Sequence, residues 1–137
     1  MMLYYAVIDT NVIVSAMMNP DSIPGTVLKH ALGGRIIPLI NQEIINEYTN
    51  VIQRSKFGFD EIDIKNVLTS IKERAIVLDR TISDEPFTDQ KDIVFYEITL
   101  TGRAGKEAYL VTGNIKHFPN KPFVVTPKEM VDIIESN

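Results

Sequence analysis

The chain of 137 residues contains no cysteine, which excludes disulfides and any thiolate metal site. It also lacks a long hydrophobic run. Its opening stretch, Met1-Met2-Leu3-Tyr4-Tyr5-Ala6-Val7-Ile8, has no basic flank and meets Asp9 too soon for a signal h-region or a membrane span. The cytoplasm is therefore the expected location, with no membrane partner. An excess of positive charge is missing too: 14 Lys and Arg stand against 18 Asp and Glu, a net charge of −4. That balance argues against broad, charge-driven binding to duplex DNA. It leaves a nucleic-acid substrate open, because carboxylates that bind metal count as negative in the formal sum yet are neutralised in use. No repeat, low-complexity tract or linker divides the chain, so residues 1–137 read as one domain. At this length a fold buries roughly two-thirds of its unfolded surface and needs no staples.

What is present is regular punctuation. Leu3 to Ile8 is a continuous apolar run with β-branched members, the pattern of a buried strand. Val12 to Met18 reads as a short helix, followed by a Pro/Gly/Asp loop through Gly25, then a helix over Thr26 to Leu32 ended by Gly33-Gly34. Arg35 to Ile40 is a strand candidate whose Pro38 either places it near a sheet edge or weakens the assignment. Asn41 caps a helix running to about Arg54, with Ile44, Tyr48, Val51 and Ile52 on one face. Gly58 breaks the chain, and Asp60 starts a helix with Ile64, Val67, Leu68 and Ile71 inward. Ala75 to Leu78 is a short strand, Asp79 to Gln90 a polar loop, and Lys91 to Thr101 a helix. Tyr109 to Thr112 and Phe123 to Val125 are short strands. Thr126-Pro127-Lys128-Glu129 starts the last helix with a Thr N-cap, Pro at the first position and a capping box. Strands alternating with helices predict an α/β fold, a mostly parallel sheet flanked by helices, with ligands beyond the carboxyl ends of the strands.

Most acids, such as Glu61, Asp63, Glu73, Glu107, Glu129 and Glu135, fall at solvated positions. Three others do not. Asp9 follows a buried strand and precedes a helix, where it either points into the ligand crevice or serves as an N-cap. Glu47 lies at the margin of an apolar helical stripe, one turn from Ile44 and Val51, where a packed stem with a solvated carboxylate is the plainer reading. Asp92 opens a helix that is apolar on nearly every side, where the helix dipole alone would favour it; Asp89 beside it is a supporting or capping residue on either account. Read together at one end of the sheet, the three converge. Such a cluster raises its own pKa values unless cations occupy it. The fitting cation is hard: Mg²⁺ or Mn²⁺, which takes oxygen ligands, activates water and clamps an in-line displacement at phosphorus. No Ser, Cys or His nucleophile is then required.

Val7-Ile8-Asp9-Thr10-Asn11-Val12 resembles the opening motif of PIN-domain nucleases, particularly the toxin-like branch of prokaryotic toxin–antitoxin systems. Glu43-Ile44-Ile45-Asn46-Glu47-Tyr48 and Val51-Ile52-Gln53-Arg54-Ser55-Lys56-Phe57 are similar to the family's helix with its second acid. Asp89-Gln90-Lys91-Asp92 resembles the segment with the third acid, and Tyr109-Leu110-Val111-Thr112-Gly113-Asn114 the late strand and turn. Val125-Thr126-Pro127-Lys128-Glu129 is similar to the segment before the last helix. The ordered blocks span nearly the whole chain. The resemblance implies a three-layer, Rossmann-like PIN fold, Mg²⁺ or Mn²⁺, hydrolysis of single-stranded RNA, an antitoxin protein as partner and a homodimer. Carried over, Asp9, Glu47 and Asp92 are metal ligands and catalytic residues, with Thr10, Asn11, Asp89 and Thr112 as supporting hydrogen-bonding groups. Asn114 stands where many relatives carry a fourth acid; its amide oxygen can ligate but brings no charge.

His117, before Phe118-Pro119, is read as structural or as a contact to substrate phosphate. Arg54, Lys56, Lys91 and Lys116 flank the acids and are candidates for phosphate contacts, with a solvated face as the alternative. Tyr4 and Tyr5 read as strand and core residues rather than base-stacking platforms. Two other functional classes compete: an inactive PIN-like binding module, which Asn114 keeps open, and a phospho-acceptor receiver domain, whose acceptor Asp and late Lys find no matching pair here.

Overall fold

A computed structural model describes residues 2–136; Met1 and Asn137 lie outside the described residues. Five strands, β1 (Tyr4–Ile8), β2 (Ile36–Ile40), β3 (Ile76–Val77), β4 (Ala108–Val111) and β5 (Val124–Val125), form one sheet in the order β3-β2-β1-β4-β5. Every neighbouring pair is parallel. The helices are α1 (Thr10–Met18), α2 (Ile23–Gly33), α3 (Gln42–Ile52), α4 (Glu61–Arg74), α5 (Ile93–Arg103) and α6 (Pro127–Glu135). Helix α5 lies across β1, β2 and β4, while α2 packs on β2 and touches α1, α4 and α6. The expected helix-flanked parallel α/β domain is what forms. Among the described residues no helix is long and apolar enough to cross a membrane.

The central strands are apolar on both faces because both are covered: Ala6, Val7, Ile36, Leu39, Leu110 and Val111 are all buried. Helix α6 begins with the full capping box, Glu129 N donating to Thr126 Oγ1 at 3.1 Å and Thr126 N to Glu129 Oε1 at 2.9 Å. Helix α2 ends at Gly34, whose φ of 93° is a left-handed conformation that suits glycine.

Three local expectations change. Helix α2 starts at Ile23, before the predicted Thr26, because Ser22 caps it by accepting from Gly25 N at 3.1 Å, and Pro24 fits its first turn. Gly25 is needed there, since a Cβ would sit 2.1 Å from the Pro20 carbonyl oxygen. Second, β2 is not an edge strand although it contains Pro38. Arg35 O faces β1, accepting from Tyr4 N, and Ile40 O faces β3, accepting from Leu78 N. By alternation the missing Pro38 N–H points to the β3 side, where pairing begins only at Leu39. Third, Gln90–Asp92 is a 3₁₀ turn, and α5 proper begins at Ile93.

The polar segment from Asp79 to Gln90 is tied down at both ends. Thr101 Oγ1 donates to Asp79 O at 2.6 Å, and Ser83 N donates to Glu97 Oε2 at 2.7 Å. Further on, Phe87 packs edge-on against Tyr96 and Phe118, and Glu85 pairs with Lys121 at 3.1 Å. The chain therefore reaches Asp89 and Asp92 along a fixed path.

Candidate active site

In a 3-2-1-4-5 sheet the connections leave β1 and β4 in opposite directions, and a crevice opens beyond their carboxyl ends. Asp9 follows β1, and Thr112-Gly113-Asn114 follows β4. Two backbone bonds extend the strand pairing into this region: Asp9 N to Val111 O and Thr112 N to Val125 O, both 2.9 Å. Neighbouring strand ends thus hold Asp9 beside Thr112.

Asp9 is 7% exposed and occupies the N-cap position of α1, yet its side chain makes no capping bond. Its Oδ2 instead accepts from Thr112 Oγ1 at 2.7 Å and from Asn11 Nδ2 at 3.1 Å. Thr112 Oγ1 accepts from Asn114 N at 3.0 Å, which turns its hydroxyl hydrogen toward Asp9. Asn11 Oδ1 accepts from Gly113 N at 3.2 Å, closing a ring between the two strand ends. Both side-chain donors converge on Oδ2. Burial pushes the Asp9 carboxyl above its ordinary value; the bonds from Thr112, the Thr10 backbone and Asn11, with His117, pull the other way.

Asp92 holds the N-cap position of α5 and also caps nothing. Capping of the turn before it falls to Asp89, which accepts from Lys91 N at 2.9 Å. Asp92 Oδ2 lies 3.8 Å from His117 Nδ1, a loose contact to a largely exposed imidazole. Its pKa is pushed up to about 6, by burial first and then by the charges of Asp9 and Asp89; His117 opposes and Glu47 adds to the rise. Glu47, half-buried on α3, has no hydrogen bond or ion pair among the described residues. These acids line one cavity of about 400 Å³ together with Thr10, Asn11, Asn114 and His117. Lys91, Ser15 and the apolar Val14, Val51, Phe57 and Phe95 complete its wall. Arg54 and Lys116 are exposed and stand outside that lining. Thr10 departs from the expected supporting role: its Oγ1 is buried without a hydrogen-bond partner among the described residues, and its backbone is what acts on Asp9.

Two groups were silent in the sequence. Tyr48 is fully buried and donates from its hydroxyl to the Ile8 carbonyl, fastening α3 to the residue before Asp9. On periodicity it is simply a core aromatic. Glu97 is 2% exposed in the middle of α5 and accepts from Arg80 Nε at 2.7 Å. Arg80 Nη1 continues to Glu43 at 2.9 Å, so one guanidinium ties α5 to α3. Glu43 precedes Glu47 by four residues and Glu97 follows Asp92 by five, so Arg80 joins the two helices that bring like charges together. An acid flanked by Phe95, Tyr96 and Ile98 was the available signal.

An all-oxygen set could be drawn from the Asp9, Asp92 and Glu47 carboxylates and the Asn114 amide. It suits a hard dication and not a soft one. Among the described residues no three His, Cys, Asp or Glu side chains close tightly enough to encircle an ion. The acids line a cavity rather than enclose an ion.

Residues 5–116 match the family described as PIN domain. The chain is 27% identical to an uncharacterized protein of Methanocaldococcus jannaschii, over 94% of this chain and 90% of that relative. No solved structure matches.

Proposed function

Because the chain belongs to the PIN domain family, whose members are generally nucleases and typically use divalent metals, we propose that it is an Mg²⁺- or Mn²⁺-dependent endoribonuclease. Its substrate is single-stranded RNA, and its setting is a cytoplasmic toxin–antitoxin pair. The observation that carries the reading is the behaviour of the acids. Asp9 and Asp92 both stand at helix starts they do not cap, and both face one cavity with the unpaired Glu47. Neither carboxylate makes the side-chain capping bond that a purely structural role at a helix start would use. Keeping them partly desolvated and mutually repelling costs stability, and a bound cation offsets that cost.

Asp9, Glu47 and Asp92 would hold the ion, with Asn114 contributing an amide oxygen. When bound, the metal lowers the pKa of water and stabilises charge developing on the phosphoryl oxygens. Thr112 and Asn11 fix the Asp9 carboxylate through Oδ2, orienting it as a ligand. Tyr48 and Arg80 set the spacing of α3 from β1 and from α5. Lys91 and His117 line the cavity and would contact substrate phosphate. The motif likeness alone supports the toxin setting, the antitoxin partner and a homodimer.

Asn114 favours a second reading, a catalytically weak module that binds RNA or a protein. It is exposed and uncharged at the cavity rim, so the site has one charge fewer than a four-acid version. Cleavage of labelled single-stranded RNA separates the two. Turnover in Mn²⁺ giving 5′-phosphate and 3′-hydroxyl ends supports the nuclease; 2′,3′-cyclic phosphate ends, or cleavage undiminished by EDTA, would overturn it.

A further inference from the structure

One aromatic residue in the cavity wall is not explained by metal binding. Phe57 ends a short 3₁₀ turn, Ser55–Phe57, and the chain reverses at Gly58, whose φ is 64°. The ring is half-buried and lines the same cavity as Asp9, Glu47 and Asp92. Phe59 stacks on it, with centroids 5.6 Å apart and planes within 13°, so its orientation is held from behind. Lys56 places its ammonium 5.1 Å from the centre of the Phe57 ring. Both Lys56 and Arg54, from the same turn, are exposed and free of ion pairs among the described residues. A rigid aromatic beside a phosphate-directed site, with two free cations next to it, is the combination that grips single-stranded nucleic acid: bases stack while cations follow the backbone. Phe57 packs against the core beside Phe59 and lines the acidic cavity as well.

We propose that Phe57 is a nucleobase-stacking platform for the nucleotide next to the scissile phosphate, with Lys56 and Arg54 on the adjoining phosphates. This rests on the ribonuclease reading above and adds a reason for single-strand preference: a base held in a duplex cannot leave its stack to reach the ring. Lys56 now sits over the ring that the base would cover, so base binding frees the ammonium for a phosphate.

The first test uses wild-type protein and mixed-sequence single-stranded RNA carrying one abasic site at successive positions around the cut. The second uses the variants Phe57→Leu and Phe57→Trp, each checked by its melting curve. An abasic site at one position beside the cut should raise KM about 5- to 100-fold in wild type, with little change in kcat. Phe57→Leu should raise KM similarly on intact RNA and become indifferent to that abasic site; Phe57→Trp should restore wild-type behaviour. The chain has no tryptophan, so Phe57→Trp also introduces a single fluorophore. Its emission should be quenched in EDTA by a short single-stranded RNA and not by the equivalent abasic strand. Equal sensitivity to the abasic site in wild type and Phe57→Leu, or equal quenching by both strands, would overturn the platform. If no RNA is cleaved under any condition, the ribonuclease reading fails, and the quenching experiment still decides the stacking.

Discussion

Replacing Asp92 by Asn should make the metal-free protein more stable at neutral pH, and the size of the gain should depend on pH. Burial and the charges of Asp9 and Asp89 lift the Asp92 pKa from 3.8 to about 6. The folded protein therefore holds a proton between those values that the unfolded chain releases. Stability falls as pH rises through that window and stays reduced above it. A shift of about two units corresponds to about 3 kcal/mol. Asp92 keeps some contact with solvent, so screening reduces this to about 1–2 kcal/mol. For a domain of this size that is a rise of roughly 3–8 °C in Tm. The assay is urea or thermal unfolding in EDTA, for wild type and Asp92→Asn, at about pH 4 and about pH 7.5. The variant should gain at the higher pH and show little difference at the lower one. Saturating Mn²⁺ should reverse the order by stabilising wild type alone. A variant less stable than wild type at neutral pH would refute the reasoning and return Asp92 to a helix-terminus role.

Asn114→Asp should lower the Mn²⁺ concentration needed for half-maximal cleavage and reduce metal-free stability, because it restores a charge at the cavity rim; calorimetric titration and paired melts measure both. Tyr48→Phe removes the donor to the buried Ile8 carbonyl and should cost about 1–2 kcal/mol in urea unfolding, with a fall in kcat as α3 loosens from β1. Glu97→Gln should cost about 2 kcal/mol by leaving Arg80 with Glu43 as its one anion and weakening the bond from Ser83 N, and should speed hydrogen exchange in residues 79–90.

The architecture was legible because it follows from apolar periodicity and turn residues, which act locally. Strand β1, the start of α6 and the inward face of α3 needed no tertiary information. Pro38 misled because a residue's distance from the sheet edge is set by which strand arrives next to it, and β3 is only two residues long. The start of α2 was missed because Ser22 and Pro24 read as loop residues, whereas Ser22 caps the helix and Pro24 occupies its first turn. In the site, Asp9, Glu47 and Asp92 stood out as acids against apolar patterns; Asp9 meets Thr112 across more than a hundred residues of sequence, and Glu47 and Asp92 line the same cavity as Asp9. Periodicity could not distinguish an Asp that caps a helix from one that declines to; only the direction of the carboxylate does. Nor could it reveal Tyr48, whose hydroxyl matters while its ring looks like core, or Arg80, which resembles any charge in a polar loop.

The most direct test is cleavage of labelled single-stranded RNA by purified wild type and Asp9→Asn, each with Mn²⁺ and with EDTA. Wild type with Mn²⁺ should cleave, and the other three conditions should not, while Asp9→Asn remains folded by its melting curve. Cleavage by folded Asp9→Asn at the wild-type rate, or by wild type after chelation, would contradict a metal-dependent site built on Asp9.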